Sequence, residues 1–272
     1  MTSIKYYLFI TTTFILFNKS FAQTNNSDLF SVNNVSGSTT IFDLKNAKWY
    51  YPDEKDAHIG TLPASTFKIV NSLIALETKA ISTANDTLKW DGKEKSHLGT
   101  VIPAWNQDTN IKGAFKNSTI WFYEVLSQKI GKKKYKKTLK KLKYGNGNIS
   151  HAKDDFWNYG DFEVTPKNQV EFLIQLSQNK LPFSTDNMDL VKEMMVLEKK
   201  DNTILKGKTG WTVKDSLNIG WFIGYLTTND NQYFFATRVI DSTKTKNPNF
   251  AKSRIEITNK VLEEYIRKSS AE

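Results

Sequence analysis

The stretch Pro63-Ala64-Ser65-Thr66-Phe67-Lys68-Ile69-Val70, running on through Leu73, Ile74 and Leu76, constrains this chain more than any other. Proline suits the first position of a helix, because its missing N–H is not needed there and its φ is already helical. The apolar residues that follow cover nearly the whole circumference, so the predicted helix belongs in the interior. Residues three apart share a helix face, which brings Ser65 and Lys68 within reach of each other. A serine hydroxyl is a poor nucleophile without an adjacent base. A lysine among Phe67, Ile69 and Val70 is destabilised in its charged form, so its pKa should fall far enough for it to accept a proton. Taken alone, the motif reads first as a capping serine and a snorkelling lysine, and only the rest of the chain can change that.

The first residues stand outside this arrangement. Lys5 supplies a basic n-region, Tyr6 to Phe17 is apolar but diluted by threonines, and Ser20-Phe21-Ala22 has the small-x-small form of a cleavage site. We expect residues 1–22 to be a secretory signal peptide, cleaved after Ala22, and residues 23–272 to form a single catalytic domain in the periplasm. No later stretch has the apolar length to anchor the chain in a membrane. Cysteine is absent, which removes disulfides, thiolate metal sites and a cysteine nucleophile. The three histidines, His58, His97 and His151, lack metal-ligand spacing, and each reads as an ordinary polar residue. No metal is expected.

Two basic residues, Lys5 and Lys19, fall within residues 1–22, so the net charge of +10 drops to +8 in the remainder. The excess is concentrated in Lys132 to Lys143, which holds eight lysines with Tyr135, Leu139 and Leu142 on one helical stripe. With so little aromatic interleaving, the segment reads as a solvated helix face, and no nucleic-acid partner is expected.

Strand patterns occur at both ends of the chain. Thr39 to Leu44 and Lys48 to Tyr51 form a predicted hairpin, and Thr203 to Gly210, Asn218 to Thr227 and Tyr233 to Ile240 are β-branched and aromatic. Between them the periodicity is helical: Ile111 to Ser127, Lys132 to Lys143, a helix opened by Thr165-Pro166, and Asp186 to Leu197. A terminal helix carries Ile257, Val261, Leu262 and Tyr265. Asn25 to Val35, Pro52 to Asp56 and Asp154 to Gly160 read as polar or loop segments. The expected fold is α+β: an antiparallel sheet built from both chain ends and flanked by helices, with an inserted all-α subdomain. The mixed part covers about 23–65 and 200–272, and the helical part about 66–199.

Ser118-Thr119-Ile120 falls in the central helical region and Lys208-Thr209-Gly210 on a strand. A Ser-x-x-Lys, Ser-Asp-Asn and Lys-Thr-Gly set marks class A β-lactamases and penicillin-binding proteins, and Ser-Thr-Ile departs from it. The combination resembles the class D, oxacillinase-type serine β-lactamases instead. Ser65-Thr66-Phe67-Lys68, Tyr144-Gly145-Asn146, Lys208-Thr209-Gly210 and Gly220-Trp221 match that family's motifs in order. Ser118-Thr119-Ile120 resembles its Ser-x-Val, with isoleucine for valine, and Phe156-Trp157 resembles its loop tryptophan.

The resemblance implies a serine β-lactamase or penicillin-binding transpeptidase-like fold and a role for each motif. Ser65 would be the nucleophile. Its N–H and that of Trp211 would form the oxyanion hole. Ser118 would relay a proton to the leaving nitrogen. Lys208, Thr209, Gly210 and Arg254 would bind the substrate, the cations taking its carboxylate. Lys68 would be the general base, carbamylated by CO₂ or bicarbonate, with the Trp157 indole N–H on the carbamate. No other cofactor is implied. Trp105 reads equally as a core aromatic or as a substrate-binding residue on the cleft rim. Trp221 and Phe222 read as sheet packing, Tyr144 as structural, and Arg238 and Arg267 as surface charges. The expected partners are β-lactam small molecules, with the protein a monomer or homodimer. Two alternatives are a β-lactam sensor domain, expected with transmembrane helices and a metalloprotease, and a penicillin-binding peptidase, expected with Ser-x-Asn and a membrane anchor.

Overall fold

The structure is a computed structural model that describes residues 26–269. The expected signal peptide and its cleavage point lie outside the described residues. In chain order the elements are α1 (Asn26–Val32), β1 (Ser36–Asp43), β2 (Lys48–Tyr50), α2 (Glu54–Ala57), α3 (Lys68–Glu77), β3 (Thr87–Leu88), β4 (Ser96–His97), β5 (Thr100–Val101) and β6 (Thr109–Asn110). They continue as α4 (Ile111–Lys116), α5 (Ile120–Ile130), α6 (Lys132–Leu142), α7 (Phe156–Tyr159), α8 (Pro166–Ser177) and α9 (Thr185–Met194). The chain closes with β7 (Val196–Lys200), β8 (Thr203–Lys214), β9 (Leu217–Thr227), β10 (Gln232–Ser242) and α10 (Phe250–Ser269).

Six strands form one sheet in the order β2-β1-β10-β9-β8-β7, so the two chain ends meet where β1 pairs antiparallel with β10. Alternation along the strands divides the core. Phe222, Phe235 and Val239 point to the face covered by α1 and α10, where they meet Leu29, Phe30, Phe250, Ile257 and Val261. Trp221, Ile223, Tyr225, Phe234 and Ala236 point to the opposite face and join the larger core built around α3. As its composition requires, α3 is buried from Lys68 to Leu76. Thr165 caps α8 by accepting from Asn168 N, with Pro166 at the first helical position.

Several sequence expectations are corrected. Residues 26–32 form α1 within the segment that reads as polar or loop, because Leu29 and Phe30 bury themselves against the sheet. Residues 54–57 are helical, with Asp53 accepting from Asp56 N as the cap. The single helix over Ile111 to Ser127 is two helices, broken at Asn117, Ser118 and Thr119. The 154–160 loop contains α7. The helix over Asp186 to Leu197 ends at Met194, and β7 joins the sheet from Val196, earlier than the expected boundary near 200. Arg238 is no surface charge: it is 1% exposed and paired with Asp56 at 2.5 Å. The lysine stripe is as expected, with Tyr135, Leu139 and Leu142 buried in α6 and its eight lysines exposed.

Candidate active site

Ser65 lies in a single 3₁₀ turn, Ala64–Phe67, immediately before α3. Ala64 enters the turn at φ +50°, in the left-handed region that residues with a Cβ seldom adopt. Thr66 fixes the turn from within: its N–H and its hydroxyl both donate to the Pro63 carbonyl, at 3.2 and 2.7 Å. Gln169 of α8 donates to Thr66 Oγ1 at 2.9 Å and accepts from the Tyr144 hydroxyl at 2.6 Å. Tyr144 is therefore a prop two contacts behind the nucleophile motif, as its structural reading requires.

Lys68 Nζ donates to Ser65 Oγ at 3.0 Å. Its side chain is fully buried, with Nζ 5.1 Å from the Tyr123 ring centre. Burial, and secondarily the charge of Lys208, hold its pKa well below the usual lysine value, while the Glu124 carboxylate pulls the other way.

Ser118 occupies the break between α4 and α5 and itself sits at φ +55°. Trp105 braces this break by donating from Nε1 to the Asn117 carbonyl at 2.8 Å, and its own carbonyl accepts from Trp121 Nε1 at 2.7 Å. At 5% exposure Trp105 stands on the core side of the two readings. Backbone strain of this kind persists only where the surroundings over-determine it, and it concentrates at functional sites.

The third motif comes from β8. Lys208 Nζ donates to Ser118 Oγ at 2.5 Å and to the Thr209 carbonyl at 3.1 Å. Burial first and the neighbouring Arg254 second lower its pKa to about 7. Arg254 of α10 donates from Nη1 to the Gly210 carbonyl at 2.8 Å, and burial lowers its pKa to about 10. Beyond Gly207 the outer edge of β8 is not paired with β7. The Trp211 carbonyl meets His97 Nε2 at 3.3 Å there. In an extended strand the N–H and C=O of one residue point to the same side, so the Trp211 N–H also faces this edge. A Cβ on Gly210 would stand 3.2 Å from Ser65 N, which puts the strand directly against the nucleophile turn.

Trp157 is fully buried, stacked on Phe67 at 5.4 Å, and its Nε1 has no hydrogen-bond partner. A buried indole N–H without an acceptor, on a ring stacked against the residue that precedes a buried lysine of lowered pKa, fits the donor set a lysine carbamate would need. His97 is the residue that sequence reading passed over. It was expected to be an ordinary polar residue, yet it abuts the β8 edge and the Trp105 ring (5.8 Å), and burial lowers its pKa. No local signal marks its approach to the strand edge, because the contact with Trp211 spans 114 residues. Among the described residues no group of three or more His, Cys, Asp or Glu could hold a metal ion, and no helix is long and apolar enough to cross a membrane.

Residues 23–263 match the family described as penicillin binding protein transpeptidase domain. The probable β-lactamase YbxI of Bacillus subtilis is 37% identical over 212 residues, covering 78% of this chain and 77% of that protein. The regulatory protein BlaR1 of Bacillus licheniformis is 33% identical over 78% of this chain but only 35% of its own length. The crystal structure of a class D β-lactamase from Nostoc superposes with a TM-score of 0.81 at 44% identity, covering 88% of this chain and 98% of that one.

Proposed function

Because this chain belongs to the class D serine β-lactamase family, we propose that it hydrolyses the ring amide of β-lactam antibiotics through an acyl-enzyme on Ser65. The observation that carries the reading is the 3.0 Å contact between a buried lysine of lowered pKa and Ser65 Oγ. A neutral Lys68 can accept the serine proton as Oγ bonds to the lactam carbonyl carbon. The carbonyl oxygen then takes up negative charge between the N–H groups of Ser65 and Trp211, donors fixed by the 3₁₀ turn and the strand edge. As the ring C–N bond breaks, Ser118 passes a proton to the departing nitrogen, and Lys208 at 2.5 Å is placed to replace it. Lys208 and Arg254, with Thr209 and Gly210 shaping the strand, would hold the substrate carboxylate.

Carbon dioxide carried by Lys68 as a carbamate would supply a carboxylate base for the hydrolytic half of the reaction. Burial lowers the Lys68 pKa, which favours the neutral amine that carbamylation needs, and the Trp157 N–H is the donor that would hold such a group. Ile120, at the edge of the core, carries one methylene more than the family's valine. The proposal places the mature chain in the periplasm as a monomer or homodimer, with no nucleic-acid partner.

The similarity to BlaR1 favours one second reading, a sensor that acylates without release. The test is a time course of chromogenic cephalosporin hydrolysis, with and without bicarbonate, on the wild type, Ser65→Ala and Trp157→Phe. Many turnovers, faster with bicarbonate, lost in Ser65→Ala and less bicarbonate-sensitive in Trp157→Phe, are expected. One stoichiometric burst would establish the sensor reading, and covalent labelling of Ser65→Ala would overturn the nucleophile assignment.

A further inference from the structure

Two side chains of the sheet hold the segment that leads into the nucleophile turn. Arg238 on β10 and Trp221 on β9 are partners in the strand register, with the guanidinium carbon 5.6 Å from the indole ring centre. Both side chains are buried, at 1% and 0% exposure. Arg238 donates from Nη1 to the Ile59 carbonyl at 2.7 Å and from Nη2 to Asp56 Oδ1 at 2.5 Å, with the Asp56 carbonyl at 3.4 Å. Trp221 donates from Nε1 to the Leu62 carbonyl at 2.9 Å. The carbonyls of residues 56, 59 and 62 are thus held in sequence by one cross-strand pair. Asp56 is tied in its turn to β1, since its Oδ2 accepts from Ser38 Oγ at 2.5 Å. Thr61 also pairs with Val164 through a backbone bridge.

The chain so held leads directly into Pro63, Ala64 and Ser65. Ala64 is at φ +50° with a Cβ in place, a conformation that a free loop would abandon. On the C-terminal side the turn is pinned through Thr66, Gln169 and Tyr144. On the N-terminal side the sheet pair supplies the hold. A buried ion pair carries a desolvation penalty that an apolar pair of similar volume avoids, so its presence calls for a geometric reason.

We propose that Arg238 and Trp221 are positioning residues for Ser65: by gripping the carbonyls of Asp56, Ile59 and Leu62 they keep the strained Ala64 turn in the shape that presents Ser65 Oγ to Lys68 and Ser65 N to the edge of β8. The inference deepens the proposed acyl transfer and rests on it for its kinetic test.

Trp221→Phe keeps an aromatic six-membered ring in the core and removes the pyrrole part of the indole, and with it the N–H to Leu62. Arg238→Lys keeps the positive charge beside Asp56 but cannot also fork to Ile59. Single-turnover acylation by a chromogenic cephalosporin is followed in each, alongside thermal melting. We expect the acylation rate to fall on the order of tenfold or more with half-saturation little changed, since a small misplacement of a reacting atom is costly. Adding Ala64→Gly should recover part of the loss in Trp221→Phe, because glycine adopts φ +50° without strain. Variants that melt lower yet acylate as fast as the wild type, or a loss that Ala64→Gly leaves untouched, would overturn the inference. Amide hydrogen exchange needs no substrate: faster exchange at Thr61 and Thr66 in Trp221→Phe is expected, and unchanged exchange overturns the clamp. A wild type that never acylates would count against the proposed function alone, and the exchange result would still decide the clamp.

Discussion

A Cβ added to Gly210 would stand 3.2 Å from Ser65 N and 2.9 Å from the Pro63 carbonyl, so β8 reaches the nucleophile turn only because residue 210 has no side chain. Neither contact is with a flexible group that could swing aside, since both atoms are backbone. Gly210→Ala should therefore push Trp211 and Ser65 apart and misalign their two N–H groups. Loss of one such donor typically lowers turnover by about 100-fold or more. Steady-state kinetics should show that fall in kcat, with only a small change in melting temperature.

Lys68→Met should abolish turnover and make the protein more stable. The folded pKa of Lys68 is depressed, by burial first and by Lys208 second, below the ordinary value of 10.5 that the unfolded chain retains. Between those two values the unfolded state holds the extra proton, so stability rises with pH across that window, and at neutral pH the buried lysine is a liability. Methionine removes the penalty and fills similar space. The melting temperature of Lys68→Met should exceed that of the wild type at pH 7, and the difference should shrink toward pH 10.

Lys208 should give binding a slope opposite to that of stability. Its pKa is lowered to about 7 by burial and by Arg254, so it loses its charge as pH rises through that point. An anionic substrate then meets one cation fewer, so KM should rise from pH 6 to pH 9, and kcat should fall over the same range because Lys208 no longer carries the proton that replenishes Ser118. Over the same range, up to the ordinary value of 10.5, stability should increase with pH, because the unfolded chain is the more protonated state. Lys208→Arg keeps its charge throughout and should flatten the KM profile.

The first turn of α6 works against its own helix. Lys132, Lys133 and Lys134 place three cations at the positive end of the helix dipole, with no acidic residue there to offset them. Lys133→Glu should stabilise the protein by about 0.5–1 kcal/mol at low ionic strength. The gain should fade in added salt, and kinetic constants should not move. A destabilised variant in thermal melts would contradict the reading of this face as a plain solvated surface.

Interactions closed within a few residues were legible in the sequence. The Ser65 to Lys68 spacing, the apolar run of α3, the Thr165-Pro166 start of α8, the α6 stripe and the strand-rich chain ends all arise from periodicity and capping, and the structure has each of them. The α+β architecture followed from where those patterns fall along the chain.

Other features depended on partners far away in sequence. The break at Ser118 was hidden because apolar residues at helical spacing flank Lys116-Asn117-Ser118-Thr119 on both sides, and a four-residue polar run reads equally as the solvated face of one helix. What interrupts it is the brace from Trp105 and the approach of Lys208 from β8, ninety residues later. Asn26–Val32 is polar enough to read as frayed, and only the sheet face beneath it makes Leu29 and Phe30 worth burying. Arg238 has no motif, and its burial follows from an aspartate 182 residues earlier and a tryptophan on the next strand. The local chemistry, a serine three residues before a lysine that opens a buried helix, was written in the chain, because hydrogen-bonded turns and side-chain periodicity are set by near neighbours. How Ser118, Lys208, Arg254 and the edge of β8 meet that serine was settled by folding, because those distances depend on sheet register and core packing, to which the whole chain contributes.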